Sequence, residues 1–91
     1  MTNTNTFQLE IVLPETPLPA RTVSSIDVPA TDGRLTVLAN HQPLIVALQA
    51  GSVIVKDAKG QIETLVISAG ALQVENNIAT ILVRDCNENK K

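Results

Sequence analysis

The side chains in this sequence that could carry chemistry are few and stand apart. It has one histidine, His41, and one cysteine, Cys86. Histidine moves protons near neutral pH, but acid–base catalysis needs a nucleophile or a second titratable group within hydrogen-bond reach. The serines Ser24, Ser25, Ser52 and Ser68 fall in or at the edge of expected strands, and none sits on the strand-to-helix elbow that presents a nucleophile. Ser68-Ala69-Gly70 lacks the preceding glycine of such an elbow. One histidine and one cysteine, without CxxC or HxxxH spacing, do not make a metal site. The glycines Gly33, Gly51, Gly60 and Gly70 are isolated, so no phosphate-cradling loop is expected. Asp27, Asp32, Glu63 and Glu75 read as solvated strand or turn residues, and Cys86 as an incidental thiol. The sequence therefore predicts no catalytic residue, no metal ligand and no cofactor. His41 keeps three readings: an acid–base group, a corner residue whose ring bonds the backbone, or an interface residue. With no catalytic partner in view, the last two are preferred over a small hydrolase built on His41.

The elements that must position these residues are strands. A chain of 91 residues with 44% hydrophobic content fits one small domain with a real core. Phe7 is the only aromatic residue, so that core is built from Val, Ile and Leu, types that favour pleated structure. Phe7, Leu9, Ile11 and Leu13 alternate with Gln8 and Glu10, the period of a strand with one buried face. Prolines between Pro14 and Pro19 end it. Further strands are expected over Ser24–Val28, Leu35–Leu38, Leu44–Leu48, Ser52–Val55, Gln61–Ser68, around Leu72 and Val74, and over Ile78–Val83. Leu44–Leu48 is apolar throughout and is read as a doubly buried strand. Asp32-Gly33 predicts a tight turn with positive φ at adjacent positions, and Asp57-Ala58-Lys59-Gly60 a hairpin. Ala69-Gly70 marks a bulge or a close backbone approach. Asn40 to Pro43 forms a corner. Breaks every eight to twelve residues or so give the rhythm of a β-sandwich or barrel, with no sustained helical period. Residues 1–5 are expected to be disordered, 6–84 to form the sandwich, and 85–91 to be a polar tail that frays.

Charge excludes several functions. The net charge is −2, from 7 basic and 9 acidic side chains. With no basic stripe and no aromatic platform, nucleic-acid binding is not expected. Met1 to Thr6 does not read as a signal peptide, and no apolar stretch approaches the ~20 residues that span a bilayer. Any work at a membrane would go through another protein.

Several segments, in order, resemble one family. Phe7-Gln8-Leu9-Glu10-Ile11-Val12-Leu13-Pro14-Glu15 resembles the opening strand of the ε subunit of F-type ATP synthases (the mitochondrial δ subunit). Val28 to Leu35 is similar to the family's second strand and acidic turn. Val37-Leu38-Ala39-Asn40-His41-Gln42-Pro43-Leu44 resembles its Val-Leu-Pro-Gly-His-Ala-Pro-Leu pattern. Ser68 to Glu75 resembles its Ser-Gly-Gly-Phe-Val-Glu-Val segment, and Asn77 to Val83 its closing strand. The likeness is collinear over about residues 6 to 84. It implies a flattened β-sandwich of about ten strands, in the central rotor stalk, packed on the γ subunit and seated on the polar loops of the c-ring. The protein would be no enzyme by itself. It would pass torque as a peripheral subunit at the cytoplasmic side of a bacterial inner membrane, reaching the membrane only through the complex. Carried onto this sequence, Asp32, Gly33, Arg34 and His41 would face the c-ring. Gln42, Pro43 and Leu44 would reach γ.

Three departures stand out. Ala39-Asn40 replaces Pro-Gly before the histidine, Ala71 replaces a Phe, and Arg34 stands where many members carry an acid, while Asp32 keeps the other acidic position. The chain ends about where the sandwich ends, so a short form is expected, coupling without the family's inhibitory helical hairpin. The competing reading, from a different class, is a stand-alone β-sandwich binding module that shares only the fold.

Overall fold

The computed structural model describes residues 5–15 and 18–89. Residues 1–4 of the expected disordered start, part of the proline break, and the last two residues lie outside that range. Nine strands form among the described residues, where about ten were expected: β1 (Phe7–Val12), β2 (Arg21–Ala30), β3 (Gly33–Leu38), β4 (Leu44–Leu48), β5 (Gly51–Asp57), β6 (Ile62–Ile67), β7 (Gly70–Glu75), β8 (Ile78–Val83) and β9 (Cys86–Asn89). There is no helix among them.

Two layers share the long strand β2. One runs β1–β8–β7–β4, the other β3–β2–β5–β6–β9. They close on each other at the ends of β2: Phe7 to Leu9 of β1 pair with Val23 to Arg21, and Ala30 pairs with Leu48 of β4. Among the described residues only the β1–β8 pairing is parallel. Alternate side chains of both layers turn inward and make the core, whose fully buried members include Leu9, Ile11, Ile26, Leu65, Leu72 and Ile81.

β2 begins three residues earlier than its sequence predicts, and a bulge explains why. Val23 pairs with Asp57 and Ser25 with Lys56, leaving Ser24 as an extra residue whose hydroxyl donates to the Lys56 and Asp57 carbonyls at 3.2 and 3.1 Å. The bulge shifts the alternation, so the inward positions run Val23, Ile26, Val28 and Ala30, with Pro29 buried as well. A strict period of two starting from Ile26 misses Val23. Pro29 stays in the strand because its missing donor costs no ladder bond, while its carbonyl accepts the Gln49 N–H at 2.8 Å.

Two further expectations are corrected. β4 is not doubly buried: Ile45 is 75% exposed and Ala47 is exposed, because the strand covers the core with one face only. The expected polar tail from Asp85 is instead interrupted by β9, which pairs with β6 from Ile67↔Cys86 to Thr64↔Asn89. Ser68 sets this up. Its Oγ accepts the backbone N–H groups of Arg84 and Asp85, both at 3.1 Å, and its own N–H donates to the Asp85 carbonyl at 3.1 Å. The close approach expected at Gly70 is present: a Cβ there would collide with the Leu82 carbonyl oxygen.

Candidate functional site

β3 separates the residues singled out from the sequence into two groups. The β2–β3 turn carries Asp32, Gly33 and Arg34. The β3–β4 corner carries His41, Gln42 and Pro43, and Leu44 opens β4. Gly33 and Arg34 open β3, and the corner follows Leu38 at its other end, about 13 Å along the strand from Arg34. His41 therefore does not stand with Asp32, Gly33 and Arg34; it stands with Gln42, Pro43 and Leu44.

The turn's charged side chains bond within their own hairpin. Thr31 and Asp32 form the bend, and of the expected adjacent positive-φ pair only Gly33 takes one, at 127°. The register places Asp27 opposite Thr36 and Pro29 opposite Arg34, so Asp27 and Arg34 are diagonal neighbours on the outer face. The Arg34 Nε–H donates to Asp27 Oδ1 at 2.6 Å and its Nη2–H to the Asp27 carbonyl at 3.2 Å. The Thr36 hydroxyl donates to Asp27 Oδ2 at 3.0 Å. Asp27 thus neutralises Arg34, and the hairpin keeps one negative charge, carried by exposed Asp32.

The corner is tied to distant parts of the chain. Asn40 takes φ 64°, the left-handed conformation that asparagine tolerates better than most residues. Its N–H donates to Asn77 Oδ1 at 2.7 Å, and the Asn77 Nδ2–H donates to the Thr6 carbonyl at 2.9 Å. The Asn77 carbonyl accepts the Gln8 N–H at 3.2 Å. Asn76 and Asn77 are themselves left-handed, at 55° and 62°. One side chain thus staples the β3–β4 corner, the β7–β8 turn and the start of β1. His41 bonds the backbone, as its corner reading expects: Nδ1–H donates to the Gln42 carbonyl at 2.8 Å, which puts the proton on Nδ1. Among the described residues, no group of three or more His, Cys, Asp or Glu side chains gathers as a metal site would.

Two shallow grooves flank Ile45. One, of about 420 Å³, runs between the turn residues 30–35 and Ile45, Val46 and Ala47 of β4. The other, of about 400 Å³, lies between Pro43, Leu44 and Ile45 and the Gln73–Glu75 stretch of β7. Both are open surface features without converging polar groups.

Residues 6–89 match the family described as ATP synthase, Delta/Epsilon chain, beta-sandwich domain. The chain belongs to that delta/epsilon family. It is 38% identical over 77 residues to the ATP synthase epsilon chain of Sinorhizobium medicae, covering 85% of this chain and 58% of that one. It is 36% identical over 76 residues to the epsilon chain of Brucella abortus, covering 84% and 56%. The chain thus spans a little over half the length of the curated relatives it matches. In fold it is similar to a chain of the Euglena gracilis mitochondrial ATP synthase OSCP/F1/c-ring structure, with TM-score 0.86, 22% identity and coverage of 91% of this chain and 53% of that one. It is also similar to a chain of the Tetrahymena thermophila mitochondrial ATP synthase central stalk and c-ring, with TM-score 0.71, 16% identity and coverage of 87% and 63%.

In this delta/epsilon sandwich the departure at Ala39-Asn40 is accommodated, because Asn40 supplies the left-handed turn that the glycine of the family pattern would give without strain. The departure at Arg34 is offset within the hairpin by Asp27. Sequence reasoning placed Ile45 with Leu38 and Leu44 at a docking corner, but it missed the roles of Asn77 and Asp27. An Asn-Asn pair is a turn signal, but nothing local links it to residue 40 or residue 6.

Proposed function

We propose that this chain is a non-catalytic rotor-stalk subunit of an F-type ATP synthase, docking at the two ends of β3. The turn with Asp32, Gly33 and Arg34 meets the polar loops of the c-ring. The corner with His41, Gln42, Pro43 and Leu44 meets γ. His41 goes with the γ set because it stands beside Gln42 and Pro43 and its ring holds that corner's backbone. The protein makes and breaks no bonds; its role is to hold two partners in fixed relation while torque passes between them. Coupling between those two partners is the role assigned to the sandwich. Its place is peripheral, at the cytoplasmic side of a bacterial inner membrane, reached through the complex. No helix among the described residues is long and apolar enough to cross a membrane.

The observation that carries this reading is Ile45. A side chain of that size, 75% exposed beside Pro43 and Leu44, is an apolar contact awaiting a protein surface. The test is capture of the chain by a folded γ subunit from the same organism, with Ile45→Glu as the variant. The wild type associates at micromolar concentration and the variant does so at least about tenfold more weakly. If the wild type does not associate with γ at those concentrations, the rotor reading falls.

A further inference from the structure

β3 forms the rim of its layer, pairing with β2 and with no other strand among the described residues. The far side of β2 tells which β3 groups are satisfied. The Pro29 carbonyl accepts from Gln49, and the Thr31 N–H donates to the Ala47 carbonyl at 3.1 Å, both away from β3. By strand alternation Asp27 and Ser25 turn away from β3 as well. Their register partners Arg34, Thr36 and Leu38 therefore point their N–H and C=O groups at the open edge. The same parity applies to β4. Ala47 and Gln49 use that edge to reach β2, so Ile45 turns its backbone groups to the seam between β3 and β4. Leu38, 57% exposed, lies along this rim, and Leu35 and Val46 line the groove behind it.

We propose that the open edge of β3, from Arg34 to Leu38, is a docking site for an extended segment of a partner protein that adds to the sheet antiparallel to β3. The backbone groups define the ligand class, because a row of alternating donors and acceptors is matched by another strand. The side chains define its pattern. An apolar residue falls opposite Leu38 and a β-branched or hydroxyl residue opposite Thr36. Asp27 already neutralises Arg34, so the residue opposite it need not be acidic. The residues between these turn inward over Leu35 and Val46 and are apolar. A second copy of this chain fits less well, since antiparallel β3–β3 pairing centred on Thr36 sets Arg34 of one copy against Leu38 of the other. The site is independent of the rotor reading, and it is tested on the free chain.

The probe is the capped heptapeptide Lys-Val-Val-Thr-Val-Gln-Lys, followed by amide hydrogen exchange of the protein. Binding slows exchange at Thr36 and Leu38 by about tenfold or more at peptide concentrations up to about 5 mM, while Leu35 and Val37, already bonded to β2, do not change. N-methylating the peptide's central threonine, which faces the rim, abolishes the slowing. Thr36→Pro, tolerated at an outward-facing edge position, also abolishes it, with folding confirmed by its circular dichroism. The proposal is overturned if no amide slows, if slowing does not alternate, or if the N-methylated peptide works equally well. It is also overturned if the rim is protected without peptide as protein concentration rises, which assigns the edge to a second copy.

Discussion

The two ends of β3 solve the same problem, reversing the chain, by opposite means. At the β2–β3 turn the side-chain bonds of Asp27, Arg34 and Thr36 all lie within a ten-residue hairpin, beside which the Thr31 N–H reaches the Ala47 carbonyl of β4. At the β3–β4 corner the decisive contacts span 37 and 71 residues, from Asn77 to Asn40 and to Thr6. A local turn can change sequence with little effect on the rest of the fold, whereas a stapled corner cannot. The turn is thus free to vary in charge to suit a partner, and the corner keeps a fixed shape. This contrast makes chemical sense of Arg34, which departs from the family pattern at the tolerant end, and of Asn40, which departs at the constrained end only by supplying the same left-handed backbone.

The largest break of this contrast is Asn77→Ala. It removes the acceptor for the Asn40 N–H and the donor to the Thr6 carbonyl, and it places a Cβ-bearing residue without Asn's local hydrogen bonding at φ 62°. The expected loss is about 2–4 kcal/mol from those two bonds and the backbone cost together, read from urea unfolding midpoints. Asn77→Gly separates the two parts, since it relieves the backbone and loses only the bonds. If Asn77→Ala costs no more than a substitution in the turn, the contrast between the two ends is wrong.

Next in size is residue 40. The bond to Asn77 uses the Asn40 backbone N–H, so every replacement but proline keeps it. Only the left-handed conformation then discriminates. Asn40→Ala loses about 1 kcal/mol and Asn40→Gly changes stability by less than about 0.5 kcal/mol. Equal losses for both would show that the asparagine side chain, rather than its φ, holds the corner.

How much of this was legible beforehand divides along the same line. β4 and β8 have the bounds their apolar runs predict, and β1 ends one residue early, because an alternating or continuous apolar run is a local signal of burial. The glycine at 70 was legible as a close approach. β9 was not, because Cys86–Asn89 has no apolar alternation and is held by backbone pairing to β6. The start of β2 was hidden by the bulge at Ser24, which breaks the period that a sequence pattern relies on. At the candidate site, the Asp27–Arg34 pair was within reach, since a two-residue turn at Thr31-Asp32 sets positions 27 and 34 diagonally. The Asn77 staple was out of reach, since no spacing in one sequence reports a contact across 71 residues. The separation of His41 from Asp32 follows from the length of β3, but family resemblance had grouped them by role.

At the turn itself, Asp27→Ala leaves the guanidinium and the Thr36 hydroxyl to water. Both are exposed, so the loss stays within about 1 kcal/mol. Its electrostatic effect is larger than its effect on folding. Without Asp27, Arg34 and Asp32 leave the turn neutral rather than negative, so if the turn docks on a basic c-ring loop, as proposed, attachment weakens. Binding to isolated c-ring, measured at low and at physiological salt, checks this.

Arg34→Gln has the smallest effect on folding and gives the finest test of the contrast. It removes an exposed cation whose pair with Asp27 contributes about 0–1 kcal/mol, so the unfolding midpoint barely moves. The turn gains negative charge, with Asp27 and Asp32 both uncompensated. If the turn meets a basic loop, the variant binds c-ring more tightly than wild type at low salt, and the difference shrinks as the screening length falls to about 8 Å at physiological ionic strength. If it meets an acidic loop, the order reverses. If binding is the same at every salt concentration, the turn does not face the ring, and the charge of residue 34 is free because nothing docks there. A change in γ binding instead would show that the two ends of β3 communicate, which the confinement of the Asp27, Arg34 and Thr36 side-chain bonds to one hairpin argues against.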